Sequence, residues 1–192
     1  AKVVYQRIIN TIQLYAKQRR LSAMVADQVS QKEKRSQMMI GILSRVVERR
    51  NGESRTHVQH ISTLTGMLLD HLVQKTETYP LTQEMRRTIS MASVLHDIGK
   101  MEIGEQVLNS PEPRTPEDEE IMRQHTLLGA RMLEELDAYR DEDFVRVAYQ
   151  ICRWHHERYD GSGYPDQLVG EQIPIAAQVV GLADAYETLT TG

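Results

Sequence analysis

Apolar residues recur at helical spacing along most of the chain, and runs that alternate apolar with polar residues are few. The spacing predicts five helices, over residues 55–75, 82–99, 117–136, 141–156 and 175–190. Pro80, the stretch 111–116 and the loop 157–174 separate them, and Thr82 and Thr115 stand where a helix N-cap is expected. The pattern therefore predicts an all-α bundle of at least five helices, with a loop at 157–174 long enough to carry function.

The first fifty residues form a region of their own. They contain no proline and no glycine before Gly41, and Ile8, Ile12 and Tyr15 begin an apolar stripe that predicts one long helix or two. Eleven Lys and Arg stand against three Asp and Glu here, whereas the rest of the chain has twelve against twenty-four. This shift in charge predicts a boundary near residue 50, between a helical linker (1–50) and a second domain (51–192).

Composition limits the classes of protein that this chain can belong to. A chain of 192 residues, 40% hydrophobic and 26% charged, suits one sizeable helical domain and an appendage. No apolar run approaches the roughly 18 residues of a membrane span, and the amino end lacks a secretory pattern, so we expect a cytoplasmic protein without a membrane span. The basic clusters of the first fifty residues lack an aromatic ladder or a recognition motif, which favours a solvated helix face over binding of polymeric nucleic acid.

The densest chemistry lies in two pairs, His96-Asp97 and His155-His156. Adjacent imidazoles at the end of an apolar helix are costly to desolvate unless something coordinates them. Asp184 is a lone carboxylate in an otherwise apolar helix, and a buried charge requires a cation. Nitrogen and oxygen donors at this density favour first-row transition metals over magnesium, and such a cluster activates water for attack on a phosphate ester.

Other candidates carry less weight when each is taken alone. Glu53 and His57 are four residues apart, so they would share one face of a helix, although a surface pair of this kind is common. His125 alone is more typical of a hydrogen-bonded core histidine. His60 and His71 have no comparable partners and are predicted to be surface or packing residues. Cys152, the single cysteine, cannot form an internal disulfide and is predicted to be a buried small hydrophobe.

The order of the motifs resembles the HD-GYP family, a branch of the HD phosphohydrolase superfamily. The motifs are Glu-x-x-x-His, His-Asp-x-Gly-Lys, a lone His, His-His-Glu, Asp-Gly-x-Gly-Tyr-Pro and an Ala-Asp helix, and they span about residues 50 to 192. The resemblance implies a phosphodiesterase that converts cyclic di-GMP to linear pGpG or GMP with two or three divalent ions, usually iron or manganese. Carried over motif by motif, the ligands are His57, His96, Asp97, His125, His155, His156 and Asp184. Glu53 matches the glutamate of three-metal members.

The same resemblance suggests roles in catalysis and substrate binding. Asp97 would bridge two cations, and Lys100 would bind a phosphate and stabilise charge that develops on it. The Gly163-Tyr164-Pro165 segment would form a lip, with Tyr164 offering its ring or hydroxyl to guanine or phosphate. The alternative for this segment is a structural turn with an incidental tyrosine.

Two departures from the family pattern stand out. Glu187 occupies a position where the family commonly has Asp, which keeps the charge on a longer side chain. The family also usually continues beyond the position of Gly192 with basic and aromatic residues that contact substrate phosphates. We therefore expect 51–192 to be a truncated HD-GYP domain with reduced substrate affinity.

Alternatives to catalysis on cyclic di-GMP remain at this stage. One is hydrolysis of another cyclic dinucleotide, and another is a module that senses cyclic di-GMP or docks a diguanylate cyclase without catalysis. Residues 1–21 resemble the last helix of a response-regulator receiver domain running into a linker. This resemblance predicts an upstream receiver domain, and the apolar stripe predicts a homodimer formed through residues 1–50.

Overall fold

The computed structural model describes residues 2–51, 56–111 and 113–191. These residues form α-helices joined by short 3₁₀ turns, so the all-α prediction is confirmed for the described part of the chain. The helices are α1 (Lys2–Asn51), α2 (His57–Lys75), α3 (Gln83–Ala92), α4 (Glu105–Leu108), α5 (Pro116–Arg123), α6 (His125–Glu134), α7 (Asp143–Trp154) and α8 (Ile175–Thr191). The 3₁₀ turns are Ser93–Leu95, Ile98–Glu102, Asp137–Tyr139 and Gly170–Gln172.

The chain divides into two compact units, residues 1–39 and 40–192. In the first unit the described residues are one stretch of α1, and Ile8, Ile12 and Tyr15 of its apolar stripe are exposed. The division falls earlier than the boundary that the charge shift predicts near residue 50. In the second unit Val47 is buried and the Arg50 guanidinium donates to the Ile103 carbonyl, so the end of α1 packs within that unit.

The core of the second unit lies among α2, α3, α6, α7 and α8. Helix α2 packs on α3 and α8, and α7 packs on α3, α6 and α8. The central apolar cluster comprises Ile61, Leu69, Ile89, Ala92, Leu95, Leu133, Ala148, Ile151, Cys152, Ala176, Val179, Val180 and Ala183. Burial of these side chains stabilises the bundle. His155, directly after α7, and His96, shortly after α3, both approach α8, at Gly181 and Asp184 respectively.

Two of the predicted helices are interrupted where candidate ligands lie. The helix predicted over 82–99 ends at Ala92. Two 3₁₀ turns follow, and between them the backbone of Asp97 leaves the helical region (φ −101°, ψ 13°). The helix predicted over 117–136 is two helices that meet at Gln124. The helix starts were predicted better, since the hydroxyls of Thr82 and Thr115 each accept a backbone N–H in the first turn.

Gly99 allows the turn after Asp97 to lie directly against α6. A Cβ atom on Gly99 would lie 1.9 Å from the His125 carbonyl oxygen and 2.4 Å from the Gly129 nitrogen, which is closer than atoms can approach. Only glycine fits this contact. The close approach places His96-Asp97 beside His125 at the start of α6.

Membrane insertion has no support in the helices that the structure describes. Within residues 2–51, 56–111 and 113–191, none combines the length and the apolar character that a membrane crossing needs.

Candidate metal centre

His96 and Asp97 lie between the two 3₁₀ turns that follow α3, and both side chains are buried, with 1% and 7% of the residue surface exposed. His125 begins α6, and His155 follows the last residue of α7. Each of these residues therefore lies at the end of an element, where the backbone changes direction and can aim a side chain inward. The fold brings these four residues together across the interior of the second unit.

The imidazole Nε2 atoms surround the Asp97 carboxylate. His96 Nε2 lies 3.2 Å from Asp97 Oδ2, and His125 Nε2 lies 3.2 Å from Oδ1. His155 Nε2 is 3.8 Å from the same Oδ1 and 3.5 Å from His125 Nε2. The two oxygens of Asp97 therefore face different imidazoles.

These residues form two overlapping groups whose ligand atoms lie within 4.8 Å of one another. The first ligand group is Asp97, His125, His155 and His156, and the second ligand group is His57, His96 and Asp97. Asp97 belongs to both. Because a carboxylate can bridge two cations with its two oxygens, this arrangement suits a pair of neighbouring divalent ions.

The Nδ1 atoms are held by hydrogen bonds that turn Nε2 toward the site. His96 Nδ1 donates to the Ser93 carbonyl, His125 Nδ1 to the Met122 carbonyl and His155 Nδ1 to the Ile151 carbonyl. His57 Nδ1 instead lies 2.7 Å from a carboxylate oxygen of Glu187. Protonated Nδ1 leaves the Nε2 lone pair available, which is the state that a metal ligand requires.

Two polar atoms in the centre fit a bound cation. His96 Nε2 and Asp97 Oδ1 are buried, and neither makes a hydrogen bond of acceptable geometry to the residues that the structure describes. Buried polar atoms without a partner cost free energy, and coordination by a divalent ion would remove that cost. The Cys152 thiol donates to the Leu95 carbonyl, and burial raises its pKa, so the available donors are nitrogen and oxygen.

The protonation states differ between the two groups. Burial, reinforced by neighbouring imidazoles, lowers the pKa of His155 well below its ordinary value and that of His156 to about 3. Burial also acts to lower the pKa of His96, but the adjacent Asp97 carboxylate outweighs it and raises the value to about 9. Burial opposes ionisation of Asp97 itself, yet Lys100 and His96 hold its pKa well below the usual range. In the first ligand group, His155 and His156 are therefore neutral imidazoles beside an ionised Asp97 carboxylate.

Asp184, on α8, lies beside the second ligand group. Its Oδ1 is 3.9 Å from both His57 Nε2 and His96 Nε2, and burial raises its pKa. Asp184 thus remains a candidate ligand beside the second ligand group. Glu53, the predicted ligand of a third ion, lies outside the described residues.

Lys100 lies inside the centre. Its Nζ is 2.6 Å from Asp97 Oδ2, and its side chain is about one-fifth exposed. An ammonium group at this point adds positive charge where a phosphate would approach the ligand groups. Its placement is compatible with the predicted role in phosphate binding.

The Gly163-Tyr164-Pro165 segment lies over His156. The Tyr164 ring stacks on the His156 imidazole with 4.8 Å between centroids and 23° between planes, and the Tyr164-Pro165 peptide is cis. Gly163 is buried, and a Cβ there would lie 2.3 Å from the Arg158 nitrogen and 2.4 Å from the Glu157 Cα. Gly163 therefore permits a close approach to the chain's own backbone. Tyr164 of the same segment packs on His156, a candidate ligand.

Glu157 is a residue whose role the sequence reasoning missed. Its carboxylate accepts the backbone N–H groups of Asp166 (2.7 Å) and Leu168 (3.0 Å), which close the loop that carries Tyr164. Asp166 is in turn held by Arg153 and Trp154. The available signal was its place directly after His155-His156, together with the cost of burying an acidic side chain without partners.

Two further residues were missed as contributors to the centre. Glu187 was noted only as a departure from the family pattern, yet it is 4% exposed and contacts both His57 and His60. The guanidinium carbon of Arg123 lies 5.1 Å from the Tyr164 ring centroid, within the range of a cation–π interaction. Neither contact could be read from local spacing, because the partners are remote in the chain.

A cavity of about 580 Å³ adjoins the centre. His155, His156 and Asp184 line it together with residues of α8 and of the 157–159 segment, among them Arg158 and Gln178. The candidate ligands therefore face a space large enough for a small molecule.

The fold and the centre agree with comparisons against known proteins. The family model of the HD domain matches residues 19–192, and the chain belongs to the HD domain family. Within that family, the order of its motifs and its similarity to cyclic di-GMP phosphodiesterases identify it with the HD-GYP branch.

Three relatives illustrate this similarity. The chain is 36% identical over 157 residues to the cyclic di-GMP phosphodiesterase response regulator RpfG of Xanthomonas campestris pv. campestris, covering 82% of this chain and 39% of that protein. It is 32% identical over 153 residues to a cyclic di-GMP phosphodiesterase of Thermotoga maritima, covering 80% and 39%. It is 32% identical over 154 residues to the 3′3′-cGAMP-specific phosphodiesterase 2 of Vibrio cholerae, covering 80% and 27%. The chain thus spans about two fifths or less of the length of these relatives.

Proposed function

We propose that this chain carries the catalytic centre of a metal-dependent phosphodiesterase that hydrolyses cyclic di-GMP to linear pGpG or GMP. The observation that carries the proposal is the Asp97 carboxylate shared by two ligand groups, with His96 Nε2 and Asp97 Oδ1 buried and without a hydrogen-bond partner among the described residues. Cyclic di-GMP is the proposed substrate because RpfG and the Thermotoga maritima relative are both named cyclic di-GMP phosphodiesterases.

Two divalent ions, iron or manganese, are the proposed cofactors. The first ligand group would hold one ion, and the second ligand group with Asp184 would hold the other. Donors that are only nitrogen and oxygen favour these metals over structural zinc, which is usually bound by thiolates. Ions bound there would supply Lewis acidity toward a phosphodiester. Glu53 is the proposed ligand of a third ion.

The chain's own residues would orient and stabilise the substrate. Lys100, beside Asp97 Oδ2, would pair with a non-bridging phosphate oxygen and stabilise the charge that grows there. Tyr164 would present its ring or hydroxyl to the base or phosphate, while the loop contacts of Glu157 keep that ring on His156. Asp97, held ionised by Lys100 and His96, would keep the two ligand groups at a fixed separation.

One experiment tests both substrate and cofactor. Protein purified without air would be analysed for metal content and incubated with cyclic di-GMP, and the products would be separated by chromatography. We expect at least two ions per chain and the appearance of pGpG or GMP, with Asp97→Ala as the inactive control. A fully metallated protein that binds cyclic di-GMP but forms no product would favour the alternative of a receptor or of a module that docks a diguanylate cyclase.

A second candidate substrate is the hybrid cyclic dinucleotide 3′3′-cGAMP. The relative that supports it is the 3′3′-cGAMP-specific phosphodiesterase 2 of Vibrio cholerae, which is as similar to this chain as the cyclic di-GMP phosphodiesterase of Thermotoga maritima. A reaction that contains both dinucleotides would show which of the two is hydrolysed faster. Faster loss of 3′3′-cGAMP would assign the chain to the hybrid substrate.

We also propose that residues 1–50 are a signalling linker that pairs two chains and connects an upstream receiver domain to the phosphodiesterase. Ile8, Ile12 and Tyr15 are more than half exposed along one stripe of α1, and a partner helix would bury them. The response-regulator name of RpfG agrees with a receiver upstream.

The pairing can be tested by placing charge on the stripe. Ile8→Glu with Ile12→Glu is expected to convert a dimer into a monomer in light scattering, because the carboxylates cannot be buried between helices. The matched control is Gln6→Glu with Asn10→Glu, which adds the same charge away from the stripe. In the wild type the Gln6 amide donates a hydrogen bond to the Asn10 side chain. A wild-type monomer, or equal effects of both pairs, would contradict the pairing.

A further inference from the structure

Glu187 is a buried carboxylate that belongs to neither ligand group. It lies on α8 one helical turn after Asp184, and only 4% of its surface is exposed. Burying an ionised carboxylate costs several kcal/mol unless the charge is paired and hydrogen-bonded. The partners of Glu187 therefore indicate what its position in the fold achieves.

Glu187 makes a short hydrogen bond to His57. Glu187 Oε2 lies 2.7 Å from His57 Nδ1, while His57 Nε2 points to the other side and lies 3.9 Å from Asp184 Oδ1. An ionised carboxylate can only accept, so this hydrogen bond requires the proton to be on Nδ1. The Nε2 lone pair of His57 is then directed into the second ligand group.

His57 differs in this respect from the other imidazoles. His96, His125 and His155 donate Nδ1–H to backbone carbonyls three or four residues earlier, so their orientation is set locally. The orientation of His57 instead depends on a side chain 130 residues away on another helix. The second oxygen of Glu187 lies 3.4 Å from His60 Nδ1, one turn further along α2, so the carboxylate contacts two successive turns of that helix.

We propose that Glu187 is a positioning residue that fixes the tautomer and direction of His57 and thereby sets the affinity of the ion in the second ligand group. Loss of such an outer carboxylate typically weakens metal binding by about 10- to 100-fold. His125 and His155 of the first ligand group are oriented by backbone carbonyls instead, so the affinity of the ion in that group is expected to stay unchanged. This inference rests on the proposed divalent-metal binding.

The test measures binding of Mn²⁺ to the metal-free chain by calorimetry, alongside the melting temperature without metal. In Glu187→Gln one of two Mn²⁺ sites is expected to weaken by about 10- to 100-fold and the other by less than about threefold. His60→Ala is the matched control, since it removes the longer contact of Glu187 with α2 and leaves the His57 contact. It is expected to bind both ions as the wild type does.

A double-mutant cycle separates positioning from a general structural role. In a His57→Ala background, Glu187→Gln is expected to cause no further loss of Mn²⁺ affinity, because its target is already absent. Equal weakening of both sites by Glu187→Gln, or a further loss in the His57→Ala background, would overturn the inference while leaving the proposed function intact. A wild-type chain that binds no Mn²⁺ would overturn both.

Discussion

The two ligand groups share Asp97 but are built differently. In the first ligand group, His125 and His155 are oriented by carbonyls of their own chain segment, and the pKa values of His155 and His156 are lowered. In the second ligand group, His57 is oriented by Glu187 on a distant helix, and the pKa of His96 is raised to about 9. His125 and His155 therefore depend on local backbone geometry for their orientation, as His96 does, whereas His57 depends on a tertiary contact.

This difference has a physical consequence for how each group responds to change. A hydrogen bond to a carbonyl three or four residues away forms whenever the local turn forms. A contact between α2 and α8 survives only if those helices keep their packing. Remote substitutions should therefore disturb His57 and the second ligand group before the first ligand group.

The largest expected effect comes from Asp97→Ala, which removes the residue common to both groups. The variant is expected to lose both ions, with each affinity falling by more than about 100-fold, since loss of a direct ligand exceeds loss of an outer one. Metal content after dialysis and the rate of cyclic di-GMP hydrolysis check this. Asp70→Ala, at a surface carboxylate paired with Arg86, is the control. Full metal occupancy in Asp97→Ala would remove the basis for a shared centre.

The two groups should be separable by substitution of one imidazole in each. His125→Ala is expected to weaken the ion in the first ligand group, and His57→Ala the ion in the second, each leaving about one ion bound per chain. Titration with Mn²⁺ measures both. If either variant loses both ions together, the centre behaves as one unit and the division into two groups is wrong.

A substitution in the lip should act mainly on the first ligand group. Gly163→Ala places a methyl group within 2.4 Å of the Glu157 backbone, so a loss of about 1–3 kcal/mol in stability is expected from overpacking. Displacement of Tyr164 would also disturb the stacked His156 imidazole. Thermal melts provide the measurement. Gly104→Ala, which meets no atom within 4 Å, is the control, and equal melting temperatures for the two variants would contradict the packing argument.

The smallest effect is the pH dependence of the metal-free protein. Because the pKa values of His155 and His156 are depressed on folding, the unfolded chain takes up their protons first as pH falls below about 6.5. His96 acts in the opposite direction, since its raised pKa contributes stability that is complete below about 6.5 and is lost as pH rises through about 9. Below about pH 6.5 the loss of stability from His155 and His156 exceeds the effect of His96, because two pKa values are lowered and one is raised.

Melting temperatures measured with a chelator should therefore fall from about pH 7 to about pH 5, and also toward about pH 9. In His96→Ala the loss on the alkaline side is expected to disappear, while the acid loss remains. A melting temperature that rises steadily on acidification would show that His155 and His156 are not held neutral.

Prediction from sequence succeeded where the signal was local. The apolar spacing that predicted a helix over 141–156 corresponds to α7 at Asp143–Trp154, and the predicted caps Thr82 and Thr115 accept the expected N–H groups. It failed at the helix predicted over 82–99. The backbone there turns at Asp97, and Gly99 allows that turn to pack on α6, which is a contact between segments that no periodicity records.

By itself, the sequence determined the helical setting of the centre and the types of side chain that are its candidate ligands. Imidazoles and carboxylates in apolar surroundings carry a desolvation cost that only coordination or pairing removes, so their types and neighbours already indicate metal chemistry. Only the tertiary structure decided how these ligands are grouped around Asp97, that Glu187 orients His57, and that Gly163 serves the chain's own packing. These features depend on which helices pack together. Helix packing is set by burial of the shared apolar core, to which residues from many parts of the chain contribute.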